Sequence, residues 1–237
     1  MAVGFLFNFF FFGEIYVKRV PFFAIIGIDS IDKHTVFKAL QKVRPHYEFP
    51  TEKWGTTTRN EFTNPFVSGL TDLIDSGIPR EYATPRSLLK LCWSRLDTII
   101  AENLLTAFQR GNGVIMRGFG AMALIRAMMR STSDAERDEL IHLHKQIVDA
   151  TVLRAGAWAP DAYFHLRRDR TIQHTNLNPN QHEWKYAAKM DSLCKMYNTL
   201  PGQTVIPIDM ERPIEVILAE VLGHIERIER ELEFTVA

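Results

Sequence analysis

Five short apolar runs punctuate the chain, at residues 22–26, 46–49, 113–116, 162–166 and 204–208. Runs of this length, rich in aromatic and branched side chains and bounded by turn formers, predict strands. Between them the apolar positions change to helical spacing. Val36, Leu40 and Val43 recur in this way, as do Leu89, Leu96, Ile99, Ile100, Leu104 and Phe108. The second series stops at Arg110-Gly111, a basic last turn with glycine beyond it. Ser133-x-x-Glu136 forms a capping box that opens a helix running toward Leu153. A further helix is predicted over about 182–197. The last starts at Pro213 and carries Ile214, Ile217, Leu218, Val221, Ile225 and Ile228. Short strands alternating with long helices predict an α/β class: three layers, about five parallel strands, helices on both faces. Ligands of such folds gather at the carboxyl ends of the strands. Residues 27–35, 51–53 and 117–119 fall there.

Composition narrows the reading. With 237 residues, 46% hydrophobic and 24% charged, the chain has the balance of one globular domain. Its 28 Lys+Arg equal its 28 Asp+Glu, so no nucleic-acid partner is expected. Cys92 and Cys194 are the only cysteines, and neither a disulfide framework nor a zinc site is predicted. A reducing, cytoplasmic compartment is the expectation. His142 and His144 stand two apart on a predicted helix and point in different directions, so they are not read as metal ligands. Residues 3–12 hold seven Phe or Leu. That run is half of the roughly 20 residues a spanning helix needs, and it lacks the basic start of a signal peptide. No transmembrane segment is expected. Residues 1–20 are read as an apolar N-terminal extension packed on a domain at 21–237, or as a segment that touches a partner.

The candidate chemistry begins after the first strand. Gly27 follows the apolar run, Lys33 comes six residues later, and an amphipathic helix begins. That is the strand–loop–helix order of G-x-x-x-x-G-K-[ST], a phosphate cradle. Asp32 stands where the second glycine belongs and His34 where the hydroxyl belongs, while Lys33 and Thr35 remain.

Taken together, the ordered motifs resemble the thymidylate kinase family of nucleoside monophosphate kinases. Ile26-Gly27-Ile28-Asp29-Ser30-Ile31-Asp32-Lys33-His34-Thr35 looks like its E-G-x-D-x-x-G-K-S-T loop. Tyr47 to Glu52 is similar to its R-F-P-x-R segment. Leu89 to Arg95, ending in Arg110-Gly111, resembles its L-L-F-x-x-x-R helix. Val114 to Phe119 sits where the family has V-[IV]-x-D-R-[YF], and Pro160-Asp161 through Leu166 looks like its P-D-x-x-x-x-L strand. The resemblance covers about residues 21–228.

It implies a P-loop kinase fold, Mg-ATP as cofactor, a dTMP-like acceptor and a homodimer. It makes Lys33 a catalytic residue, together with Arg154 from a lid mapped between Arg126 and Arg154. It implies nucleotide binding by Gly27, Asp29, Lys33, Thr35 and Arg95. Plain readings stand beside these. Asp29 caps a turn or helix equally well. Arg95 fits a surface helical arginine paired with Asp97 or Glu102. A solvated helical face explains Arg126, Arg130, Arg137 and Arg154.

Several departures change charge. A carboxylate at Asp32, some 5 Å from a phosphate, repels it by about 1–3 kcal/mol. Glu48 and Glu52 occupy the acceptor arginine positions, with Lys53 beside them, and Leu91 replaces a stacking Phe. Aligned on Phe119, the Asp-Arg pair becomes Arg117-Gly118. Phosphoryl transfer depends on positioning and charge stabilisation, so these losses together predict a degenerate kinase, a pseudokinase serving as a binding or structural subunit. The alternative is a divergent, active deoxynucleoside monophosphate kinase. Nucleotide binding without turnover is a third reading.

Overall fold

The computed structural model describes residues 19–27, 33–50, 84–150, 159–167, 192–193, 195–198 and 203–235. Four strands, β1 (Phe22–Ile26), β2 (Val114–Arg117), β3 (Ala162–Arg167) and β4 (Val205–Asp209), form one sheet in the order β2-β1-β3-β4. Every pairing is parallel, with Ile25 opposite both Arg117 and Phe164. The fifth predicted strand, at 46–49, is reduced to one parallel bridge between Glu48 and Val114. Pro45 and Pro50 bracket it, and neither can donate to a ladder. The sheet therefore has four strands among the described residues, not five.

Helix α1 (Lys33–Val43) follows β1. Helix α2 (Pro85–Ile99) is capped by Thr84, whose hydroxyl accepts from the amide of Ser87. It widens through a π turn (Ile100–Leu104) into α3 (Leu105–Gln109). The predicted stop holds: Gly111 takes φ 74° and its amide bonds to the Phe108 carbonyl. Helices α4 (Gly120–Met129) and α5 (Asp134–Val148) come next, and α6 (Ile214–Thr235) closes the chain. The capping box at α5 is shifted by one residue. Ser133 Oγ accepts from the Glu136 amide, but the Glu136 carboxylate reaches back to the amide of Thr132. Of the helix predicted over 182–197, only residues 192–193 and 195–197 are described, and they are helical.

Alternation along β1 divides the core between two helical layers. Phe22 meets Phe108 and Phe119 edge-on, at centroid distances of 5.8 and 5.0 Å, on the side of α2, α4 and α5. Phe23 stacks on Phe164 at 5.7 Å on the opposite side, where α1 packs against α6. All five residues of β1 are fully buried, and each large side chain contributes about 1.5–3 kcal/mol. The α1 stripe differs from its predicted form. Phe37 is buried with Val36 and Leu40, whereas Val43 is half exposed at the end of the helix. No helix among the described residues is long and apolar enough to cross a membrane.

Asp161 anchors the entry to this sheet. Its carboxylate accepts from the Phe22 amide at 2.8 Å and from Arg19 at 2.6 Å, while its own amide bonds to the Phe22 carbonyl. The strand-initial aspartate predicted from Pro160-Asp161 thus satisfies the first donor of the central strand. Truncation in Asp161→Ala leaves that donor buried and unmet. The expected cost is about 2 kcal/mol of unfolding free energy in urea titrations, with Asp161→Asn losing less.

Candidate functional site

The carboxyl edge of the sheet is built from the ends of β1 and β2 and the first turns of α1. Gly27 ends β1 with φ +149°, and a Cβ there would lie 2.9 Å from the Leu166 carbonyl oxygen. Glycine is required at this position by the approach of β3 alone, before any phosphate is considered. Lys33 opens α1, and its ammonium donates to the Gly27 carbonyl at 2.7 Å. That bond joins the end of β1 to the start of α1. Thr35 and His34 lie in the first turn of α1 and are exposed. Asp29 and Asp32 lie outside the described residues, as do Glu52, Lys53 and Arg154.

Arg117 ends β2 beside β1. The Gly118 amide bonds to the Ile25 carbonyl at 2.8 Å, and the guanidinium of Arg117 sits 5.4 Å above the ring of Phe37. Phe37 is one turn along α1 from Lys33, on the same face. Two cationic side chains therefore converge on one corner. Glu48, read from sequence as an acidic replacement in the acceptor segment, is placed elsewhere. Its carboxylate accepts from Arg110 at 3.0 Å and from Asn112 at 3.1 Å, at the start of β2. The opposite ends of β2 thus separate Glu48 from Arg117.

The reading of Arg95 as a surface arginine is corrected. Arg95 is 1% exposed and lines a small cleft with Arg126, Cys92, Leu96, Phe119 and Met122, where α2 packs on α4. Helical spacing did not reveal this, because α4 covers the face of α2 that carries Arg95. Arg126, where the region assigned to a lid begins, lies in the last turn of this mostly buried helix. Arg137 pairs with Asp134 at 2.9 Å on α5. The structure thus brings Arg95 and Arg126 together in one cleft.

The turn between β2 and α4 is strained. Phe119 is fully buried at φ 59°, ψ −170°, a conformation that costs roughly 1–3 kcal/mol outside glycine. Gly118 and Gly120 flank it, which is the sequence signal for unusual backbone here. A Cβ on Gly120 would meet the Trp93 ring at 2.7 Å and His144 at 3.2 Å. Behind this turn runs a buried polar chain that sequence reading missed. Trp93 Nε1 donates to His144 Nδ1 at 3.1 Å, His144 Nε2 faces the Tyr197 hydroxyl at 3.4 Å, and that hydroxyl donates to Tyr163 at 3.4 Å. Indole nitrogen only donates, so Nδ1 accepts and the imidazole is neutral with its proton on Nε2. Burial lowers the His144 pKa from its ordinary 6.5 to about 4.

Solved thymidylate kinases share this architecture. The enzyme from Ehrlichia chaffeensis matches with a TM-score of 0.58 and 15% identity, covering 87% of this chain and 98% of its own. That from Candida albicans matches with a TM-score of 0.61 and 12% identity, covering 88% and 92%. No family model and no curated protein matches the sequence. The likeness is one of fold, and the chain has a thymidylate kinase-like P-loop kinase fold.

Two outcomes follow from this geometry. Gly27→Ala should lower unfolding free energy by about 2–4 kcal/mol in the absence of any nucleotide, from backbone strain and the clash with Leu166. Chemical denaturation measures it. The second concerns acid. The folded state holds His144 neutral and the unfolded state protonates it below pH 6.5, so its contribution is complete above that pH. It is lost as pH falls toward about 4, amounting to about 3 kcal/mol. His144→Gln, which keeps an acceptor for Trp93, should remove this part of the slope from stability measured between pH 4.5 and 7. Parallel losses in both proteins would assign the slope to another group.

Proposed function

We propose that this chain is a thymidylate kinase-like protein that has lost phosphoryl transfer and serves as a nucleotide-binding or structural subunit. Arg117 carries the reading. It brings a guanidinium to the tip of β2, beside Lys33 and the end of β1. A P-loop enzyme places hard oxygen ligands for Mg²⁺ in such a region, from a loop hydroxyl and a strand-end carboxylate. Guanidinium has no acceptor, and His34 follows Lys33 in place of a hydroxyl. Among the described residues of this corner only the Thr35 hydroxyl is a hard oxygen side chain, which falls short of the hydroxyl and carboxylate set that Mg²⁺ of Mg-ATP takes. Lys33 has a structural partner in the Gly27 carbonyl, a role that requires no catalysis.

The second reading is an active deoxynucleoside monophosphate kinase that uses Lys33 and Arg154. Arg95 and Arg126 line one cleft with apolar walls. Two guanidinium groups side by side are the donors a monophosphate of an acceptor such as dTMP would need, although the cleft as it stands has room for about one water. That cleft also supports nucleotide binding without turnover, so it fits both readings. Asp29 and Thr35 are nucleotide contacts in either.

The readings separate in a coupled assay of ADP release with ATP and dTMP, run beside thermal shift. The expected result is stabilisation by nucleotide, about 2.7 kcal/mol at a hundredfold excess over Kd. No dTMP-dependent ADP release above the Lys33→Ala background should accompany it. Turnover abolished by Lys33→Ala would establish the active kinase instead.

A further inference from the structure

We infer that α5 is an acid-released element of the fold, latched to the body by the His144 imidazole. Its attachment is slight for its length. Of its 15 residues only Leu140 and His144 are buried, with Ile141, Leu143, Ile147 and Val148 partly covered. The ion pair that joins it to α2, Arg86 with Glu139 at 2.7 Å, is more than half exposed on both sides and contributes little. Release of His144 therefore removes one of the two buried side chains on which the docking of α5 depends.

The latch fits only the uncharged ring. Trp93 of α2 donates to Nδ1 at 3.1 Å, and the Tyr197 hydroxyl lies 3.4 Å from Nε2. A proton on Nδ1 sets donor against donor, because the indole nitrogen accepts nothing. Both rings close on Gly120 of α4, where even a Cβ would lie 2.7 Å from Trp93 and 3.2 Å from His144, which blocks either ring from turning that way. Among the described residues, the titratable groups facing His144 are Tyr197 and, behind it, Tyr163 of β3. Burial raises the pKa of both phenols, so neither supplies a negative charge. Trp93 from α2, Gly120 from α4 and Leu140 one turn back on α5 carry no charge. An imidazolium finds no counter-ion among these groups and reaches water only as α5 lifts. Trp93 also packs edge-on against Phe119 at 6.2 Å, and Phe119 lines the Arg95–Arg126 cleft. Release of α5 thus withdraws the support behind one wall of that cleft.

Hydrogen exchange of the full chain at pH 7 and pH 5, expressed as protection factors, tests the inference. A ring that titrates at 6.5 when free and at about 4 when docked predicts a fall in α5 protection of about twentyfold between those conditions. At pH 5 the protection of α5 should lie at least about tenfold below that of β1. It should not respond to about 1 M urea, since local release exposes little surface. His144→Gln, which keeps an acceptor for Trp93, should change by no more than about twofold with pH. Exchange of α5 and β1 together, with one urea dependence, means that α5 leaves only on global unfolding and overturns the inference. A fall retained in His144→Gln overturns it as well. Should that variant not fold, the wild-type pH profile decides: a fall of α5 ahead of β1 that begins near pH 6.5 supports the inference, and one confined below pH 5 overturns it.

Discussion

The pairing of β1 on both edges, with both faces buried, is the constraint from which the rest of the structure follows. A strand enclosed on four sides has no solvent to satisfy its backbone, so each amide and carbonyl needs a protein partner. The ladders to β2 and β3 supply most of them, and Asp161 supplies the first amide. The same enclosure leaves no space for a side chain at Gly27, where β3 comes within contact of the backbone. Phe22 and Phe23, alternating across the sheet, then decide which helices belong to which layer.

Electrostatics at the carboxyl edge are decided by which charges the sheet brings to it. Arg117 and Lys33 are brought to one corner, while Glu48 is taken to the other end of β2 and neutralised by Arg110. Counting altered motif positions treats Glu48 and Arg117 as equal losses. The structure separates them: Glu48 is an ion-pair residue at the start of β2, and Arg117 lies at the other end of that strand, over the Phe37 ring. Behind this corner, the strained Phe119 is supported by Trp93, which a neutral, buried His144 accepts from. Holding that imidazole uncharged links the stability of the turn to acidity.

Much of the scaffold was legible in the chain because its signals are local. The apolar run at Phe22–Ile26, the glycine stop at Gly111 and the cap at Ser133 each depend on residues a few positions apart. Where an apolar pattern met a competing constraint, local or tertiary, the constraint prevailed. Prolines 45 and 50 cut the fifth strand to one bridge, and Val43 yielded the buried face of α1 to Phe37.

The sequence by itself determined most of the strands and helices and their parallel α/β order, since periodicity and element order are properties of neighbouring residues. Only the tertiary structure decided that Arg95 is buried against α4 beside Arg126, that Glu48 leaves the candidate site, and that Trp93, His144, Tyr197 and Tyr163 form one chain. Those residues stand tens of positions apart, and charge or burial at such a distance is set by which helix faces which strand. A helical arginine has the same spacing whether water or another helix covers it.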